Sequence, residues 1–168
     1  MRKTEVKKHI LGKKQKRILI FLAEDGPHTI NATNTKLFSL SHYHATHTAF
    51  KSLESKRLIS KLPNGKYYAT EEGRFTALLY GANIKKVKET ALKFCKPEEK
   101  EDLMVTYEII ESVGPETASV ILRALKGKTE LAYLPLDENE AKKIFSILRK
   151  YPKWWAHVEK ILRGVEHE

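Results

Sequence analysis

Apolar positions recur at helical spacing from Lys13 onward. Ile18, Phe21 and Leu22 share one face at intervals of three and four, which predicts an amphipathic helix. Asp25-Gly26-Pro27 stops it, with a glycine past the last turn and a proline beyond. Asn31 is placed to cap a short second helix over residues 32–38. Ser39-Leu40-Ser41 then makes a tight connection whose leucine is expected to plug the core. A third helix starts at Ser41 or His42 and continues to about Lys56, with Thr46, Ala49, Phe50 and Leu53 on its inward stripe.

The pattern then changes. Leu58–Leu62 and Lys66–Ala69 read as two strands around Pro63-Asn64-Gly65. Asn-Gly between such runs signals a hairpin, because both residues tolerate positive φ. Thr70 with Glu71-Glu72 opens a fourth helix to about Tyr80, and Gly81-Ala82-Asn83 is the expected domain boundary. Beyond it the periodicity is helical, at 84–95, 98–112, 115–126, 137–150 and 153–163. Pro97, Gly114-Pro115, Gly127, Pro135 and Pro152 punctuate these segments, and Pro115 and Asp137 read as helix starts.

Charge sharpens this division. The chain has 168 residues and a net charge of +10. Residues 1–80 hold 15 Lys/Arg against 6 Asp/Glu, whereas residues 81–168 hold 16 against 15. A basic first half suits either a polyanion footprint or a solvated, lysine-rich surface. One cysteine, Cys95, excludes an internal disulfide and a Cys-rich zinc module. The first ten residues lack an apolar signal region and no apolar run approaches a bilayer span, so a cytoplasmic protein is expected.

Three helices and a hairpin, with Ala49-Phe50-Lys51-Ser52-Leu53-Glu54-Ser55-Lys56-Arg57-Leu58-Ile59 leading into the first strand, follow a familiar order. So does Lys66-Tyr67-Tyr68-Ala69-Thr70-Glu71-Glu72-Gly73-Arg74 leading into the next helix. Together they resemble the prokaryotic, archaeal-type winged helix-turn-helix transcriptional regulators over about residues 12–80. Ser39 stands where that family often places a glycine. The resemblance implies a mainly α fold with a small β-hairpin wing. Its parts are a basic arm (1–11), a winged helix-turn-helix DNA-binding domain (12–82) and an all-α helical domain (83–168) for dimerisation or effector binding.

With Phe50 and Leu53 inward, a step of about 100° per residue places His44, His47, Thr48 and Lys51 on one outer stripe. In a helix-turn-helix that stripe lies in the major groove of duplex DNA, where His, Thr and Lys can meet base edges or phosphates. It carries no Arg, Asn or Gln, so modest sequence discrimination is expected. The expected phosphate-facing set is Lys13, Lys14, Lys16 and Arg17 near the first helix, and Asn31 and Thr33 at the start of the second. Lys61, Asn64 and Lys66 complete it on the wing.

A metal is not expected at His42, His44 and His47, since only the last two share a face and no Cys or carboxylate adjoins them in sequence. No phosphate-binding glycine loop or His-Glu-x-x-His motif is present, and the acidic pairs Glu98-Glu99, Glu101-Asp102 and Asp137-Glu138 sit at helix starts. Neither an enzyme nor a cofactor is expected. The second half carries apolar faces that suit a bundle core, a homodimer surface or an effector pocket lined by Tyr107, Tyr133, Trp154 and Trp155. A replication-initiation or RNA-binding factor, or a winged-helix protein-interaction module, remains the alternative to a regulator.

Overall fold

The computed structural model describes residues 9–39, 42–126 and 136–166, with side chains to Lys160. The chain is mainly helical with one two-stranded antiparallel hairpin among the described residues. It divides into two compact units between Cys95 and Lys96. The division falls one helix later than Gly81-Ala82-Asn83, and the charge division becomes sharper. Residues 8–95 hold 16 Lys/Arg against 6 Asp/Glu, while residues 96–168 hold 12 against 14.

In the first unit, α1 (Lys13–Asp25), α2 (Ile30–Leu37) and α3 (Tyr43–Ser55) precede β1 (Ile59–Lys61) and β2 (Tyr67–Ala69). Next come α4 (Glu71–Leu79) and α5 (Ile84–Phe94). Ile18, Leu19, Leu22 and Ala23 are the buried face of α1. Phe21 lies at its margin with its ring 4.6 Å from that of His28, so Leu19 takes the core place expected of Phe21. The stripe is wide because α1 packs against α3, α4 and α5. The α5 helix joins this unit through Glu24, whose carboxylate accepts from the Asn83 N–H at 2.7 Å and whose carbonyl accepts from Thr90 Oγ1 at 2.6 Å.

Thr29 caps α2 by accepting from the Ala32 N–H at 3.1 Å. Asn31, expected in that role, sits in the first turn instead. Residues 9–11, expected in a basic arm, are pinned: the Tyr80 hydroxyl donates to the His9 carbonyl and accepts from the Leu11 N–H. Residues 1–8 of that arm, with Leu40 and Ser41 of the connection, lie outside the described residues. A buried polar pair ties α2 to α3: Thr46 Oγ1 donates to Asn34 Oδ1 at 2.6 Å, and Asn34 Nδ2 donates to the Ser39 carbonyl at 3.0 Å. Satisfied in this way, a buried amide fixes the pairing of two short helices at little cost.

The α3 helix ends in a Schellman turn. The Leu58 N–H bonds the Leu53 carbonyl at 3.1 Å, the Arg57 N–H bonds the Glu54 carbonyl at 2.9 Å, and Arg57 takes φ 61°. A β-carbon there is crowded by its own carbonyl. Arg57→Gly should therefore raise stability by about 0.5–1 kcal/mol, read as a higher urea midpoint at unchanged m-value.

Ile59 pairs with Ala69, Ser60 with Tyr68 and Lys61 with Tyr67. The turn differs from the Asn-Gly expectation. The Gly65 N–H bonds the Leu62 carbonyl at 3.0 Å, and Gly65 alone in the turn has positive φ, 84°. Pro63 fixes the first central φ near −65°, which excludes a primed turn there; Asn64 keeps negative φ and Gly65 makes the left-handed step. On the other edge of β2, His28 exchanges both backbone hydrogen bonds with Tyr67, at 2.8 and 3.0 Å. β2 is thus the middle strand of a sheet whose third member is one residue long.

The second unit holds a short 3-10 turn (Pro97–Glu99), α6 (Lys100–Val113), α7 (Pro115–Leu125), α8 (Glu138–Arg149) and α9 (Pro152–Glu166). Pro115 opens α7 and Asp137 caps α8 as expected, the latter accepting from the Glu140 N–H at 2.8 Å. Val105, Tyr107, Ile109, Ile121, Leu148 and Trp154 belong to the core. Trp155 is half-buried beneath the Arg149 guanidinium, and Tyr133 lies outside the described residues.

Glu108 joins α6 to the connection between α8 and α9. It accepts from Lys150 Nζ at 2.6 Å and from the Tyr151 hydroxyl at 2.7 Å. Burial and then Glu108 push the Tyr151 phenol from 10.0 up to about 12. The neutral phenol is thus favoured by folding, so its contribution is whole below pH 10 and is lost as pH rises through about 12. The urea-midpoint deficit of Tyr151→Phe should accordingly shrink across that interval; a constant deficit would contradict it.

Candidate nucleic-acid interface

The outer face of α3 is built by what the inner face buries. Thr46, Ala49, Phe50 and Leu53 point inward, and His44, Thr48, Lys51 and Ser55 stand exposed on the opposite side. Ser55 extends the expected stripe by one turn and follows from the same 100° step. The first turn has no acidic residue. Thr48 Oγ1 donates to the His44 carbonyl at 3.1 Å, so its proton is used within the helix while its oxygen can still accept. His47 is half-buried, its ring 6.3 Å from that of exposed Tyr43.

Lys51 carries this face onto the hairpin. Its Nζ donates to the Tyr67 hydroxyl at 3.3 Å and stands 3.6 Å from Glu54 Oε1. Its pKa is raised, first by Tyr67 and then by Glu54. Lys61 Nζ lies over the same Tyr67 ring, 5.9 Å from the centroid. Lys66 and Asn64 are exposed at the hairpin tip, where Asn64 Oδ1 accepts from the Lys66 N–H at 3.0 Å.

The residues expected at phosphates do not form one set. Lys13 and Asn31 are exposed. Lys14 and Arg17 sit over the Phe38 ring at 4.3 and 4.8 Å, and Arg17 also donates to the Leu37 carbonyl at 3.1 Å, closing the end of α2. Lys16 points another way, 4.8 Å over the Tyr80 ring. At 100° per residue, four basic residues in five positions cannot share a face. Thr33 corrects a further expectation: it is fully buried, its hydroxyl donating to the Thr29 carbonyl at 2.9 Å. Because α2 begins at Ile30 rather than residue 32, position 33 turns toward the core instead of the helix mouth.

Tyr67 is the member of the site that the strand pattern obscured. It is 2% exposed, yet its hydroxyl reaches the α3 lysine. Among the described residues no group of three His, Cys, Asp or Glu could hold a metal ion, and no helix is long and apolar enough to cross a membrane. No protein-family model, curated protein or solved structure matches the chain.

Proposed function

We propose that this chain is a DNA-binding transcriptional regulator whose residues 12–82 act as a winged helix-turn-helix. The α3 helix enters the major groove of duplex DNA and the short hairpin meets the backbone beside it. One observation carries the reading. The outer face of α3, without an acidic residue from His44 to Lys51, continues onto a lysine-bearing hairpin through the Lys51–Tyr67 hydrogen bond.

Two further observations support it. The order α1-α2-α3-β1-β2-α4, with His28 adding a third strand position beside β2, suits a helix-turn-helix with a small wing. The first unit also concentrates the positive charge, as a polyanion-binding element would. With His and Thr rather than Arg, Asn or Gln on the reading face, sequence preference is modest and leans on DNA shape and on a homodimer's two half-sites. The helices after Cys95, within residues 96–168 that hold 12 basic against 14 acidic residues, serve as the dimerisation or effector part of a cytoplasmic regulator.

The experiment is a fluorescence-anisotropy titration of a labelled random-sequence duplex against the whole chain at several salt concentrations. Lys66→Ala should weaken binding and lower the salt slope by about 0.9, one phosphate contact. A slope unchanged from wild type would remove the wing from the interface.

A further inference from the structure

The meeting of α3 and the hairpin is organised around one phenol ring. Lys51 comes from α3 and Lys61 from β1, two elements that bring their ammonium groups to Tyr67 on β2. Each Nζ stands 5.9 Å from the ring centroid, and Lys51 is also held by the hydroxyl. The ring is fixed from behind by Phe50, edge-on at 5.1 Å. Lysine side chains ordinarily lose considerable rotamer freedom on binding, so a pair held in advance starts with part of that cost already met. Glu54 is the one carboxylate ion-paired to Lys51 among the described residues. In the free protein it therefore stands where an incoming anion would neutralise the ammonium.

We propose that Lys51 and Lys61, positioned by Tyr67, form a two-lysine fork that takes a single phosphodiester group of bound DNA, with Glu54 as the counter-ion this phosphate displaces. The inference rests on the duplex-binding reading and adds to it a shared phosphate, a positioning residue and an internal competitor. Tyr67 touches no nucleic acid in this account. It acts through the two lysines.

The test is a double-mutant cycle on the full chain, read as affinity and salt slope for a labelled random-sequence duplex, with Lys51→Ala, Lys61→Ala and the double variant. Two lysines on one phosphate give sub-additive losses: the double variant falls short of the product of the single losses by about 3-fold or more, and its slope drops by about 0.9 in total. Tyr67→Phe keeps the ring and the Phe50 contact but loses the hydrogen bond to Lys51. It should reduce that coupling while the urea midpoint stays close to wild type. Glu54→Gln should tighten binding by about 2- to 5-fold at low salt, the scale of an exposed ion pair. Additive losses with a total slope change of about 1.8 would mean two separate phosphates and overturn the fork alone. Coupling unmoved by Tyr67→Phe would overturn the positioning role, and unchanged binding by Glu54→Gln the counter-ion role. No duplex binding by the wild-type chain would overturn the fork together with the reading it rests on.

Discussion

Gly73→Ala is expected to destabilise the first unit by more than about 3 kcal/mol, although alanine is the better helix former by about 1 kcal/mol. The sign is decided by space. A β-carbon at Gly73 would lie 1.9 Å from the Leu58 carbonyl oxygen, 2.9 Å from its carbon and 3.3 Å from Leu19 Cδ1. The first two are backbone atoms, which no rotamer change can move aside. The Leu58 carbonyl accepts from both the Thr70 N–H and the Thr70 hydroxyl, while Thr70 Oγ1 caps α4 through the Gly73 N–H at 3.1 Å. Pushing α4 away would therefore break the cap and its anchor on the Leu58 carbonyl together. Equilibrium urea unfolding of the whole chain, followed by circular dichroism, measures the loss. A midpoint at or above wild type would contradict the close packing of α4 on the Leu58 backbone.

Thr48→Glu should lower duplex affinity by roughly 30- to 150-fold, about 2–3 kcal/mol, with folding unchanged. Thr48 lies in the exposed stripe with His44, Lys51 and Ser55, and its side chain bonds the backbone of its own helix at the His44 carbonyl. A carboxylate there would face DNA phosphates across a groove and meet like charge. Helix propensity favours glutamate slightly over threonine, so the fold gives no reason for loss. Thr48→Ala keeps the face neutral and should cost about 1 kcal/mol or less. The comparison separates charge from contact. Equal effects of the two variants, measured by anisotropy at fixed salt, would contradict a phosphate-facing α3.

Much of the fold was legible in spacing alone. Helical periodicity located the later helices to within about two residues at most ends, helped by the helix starts at Pro115 and Asp137. The errors have local causes. Thr29 and Asn31 are both good capping types, and the choice between them was made by His28, whose backbone is held by Tyr67 and sets where α2 begins. That shift carried Thr33 into the core. The hairpin was legible but its turn was not: Pro63 takes the first central position, where its fixed negative φ excludes the primed turn that Asn-Gly favours.

Of the candidate interface, the α3 stripe followed directly from a 100° step once Phe50 and Leu53 were inward. The basic run before Ile18 did not resolve into a surface. Whether a lysine faces solvent or covers an aromatic ring depends on Phe38 and Tyr80, far away in sequence. The same holds for Tyr67, whose long-range bond to Lys51 leaves no trace in strand alternation. The motif Thr70-Glu71-Glu72-Gly73-Arg74 has a structural cause of its own. Thr70 caps, Gly73 admits the Leu58 backbone, and Arg74 donates to the Ala69 carbonyl at 3.1 Å.

The most direct measurement is a salt titration of wild-type binding to duplex DNA, duplex RNA and single-stranded DNA, beside the duplex lying upstream of the protein's own gene. Tight, steeply salt-dependent binding to duplex DNA, tighter again for the upstream fragment, is the predicted result. Equal and weak binding to every polyanion would contradict a DNA-reading α3 and leave the first unit with a basic surface only.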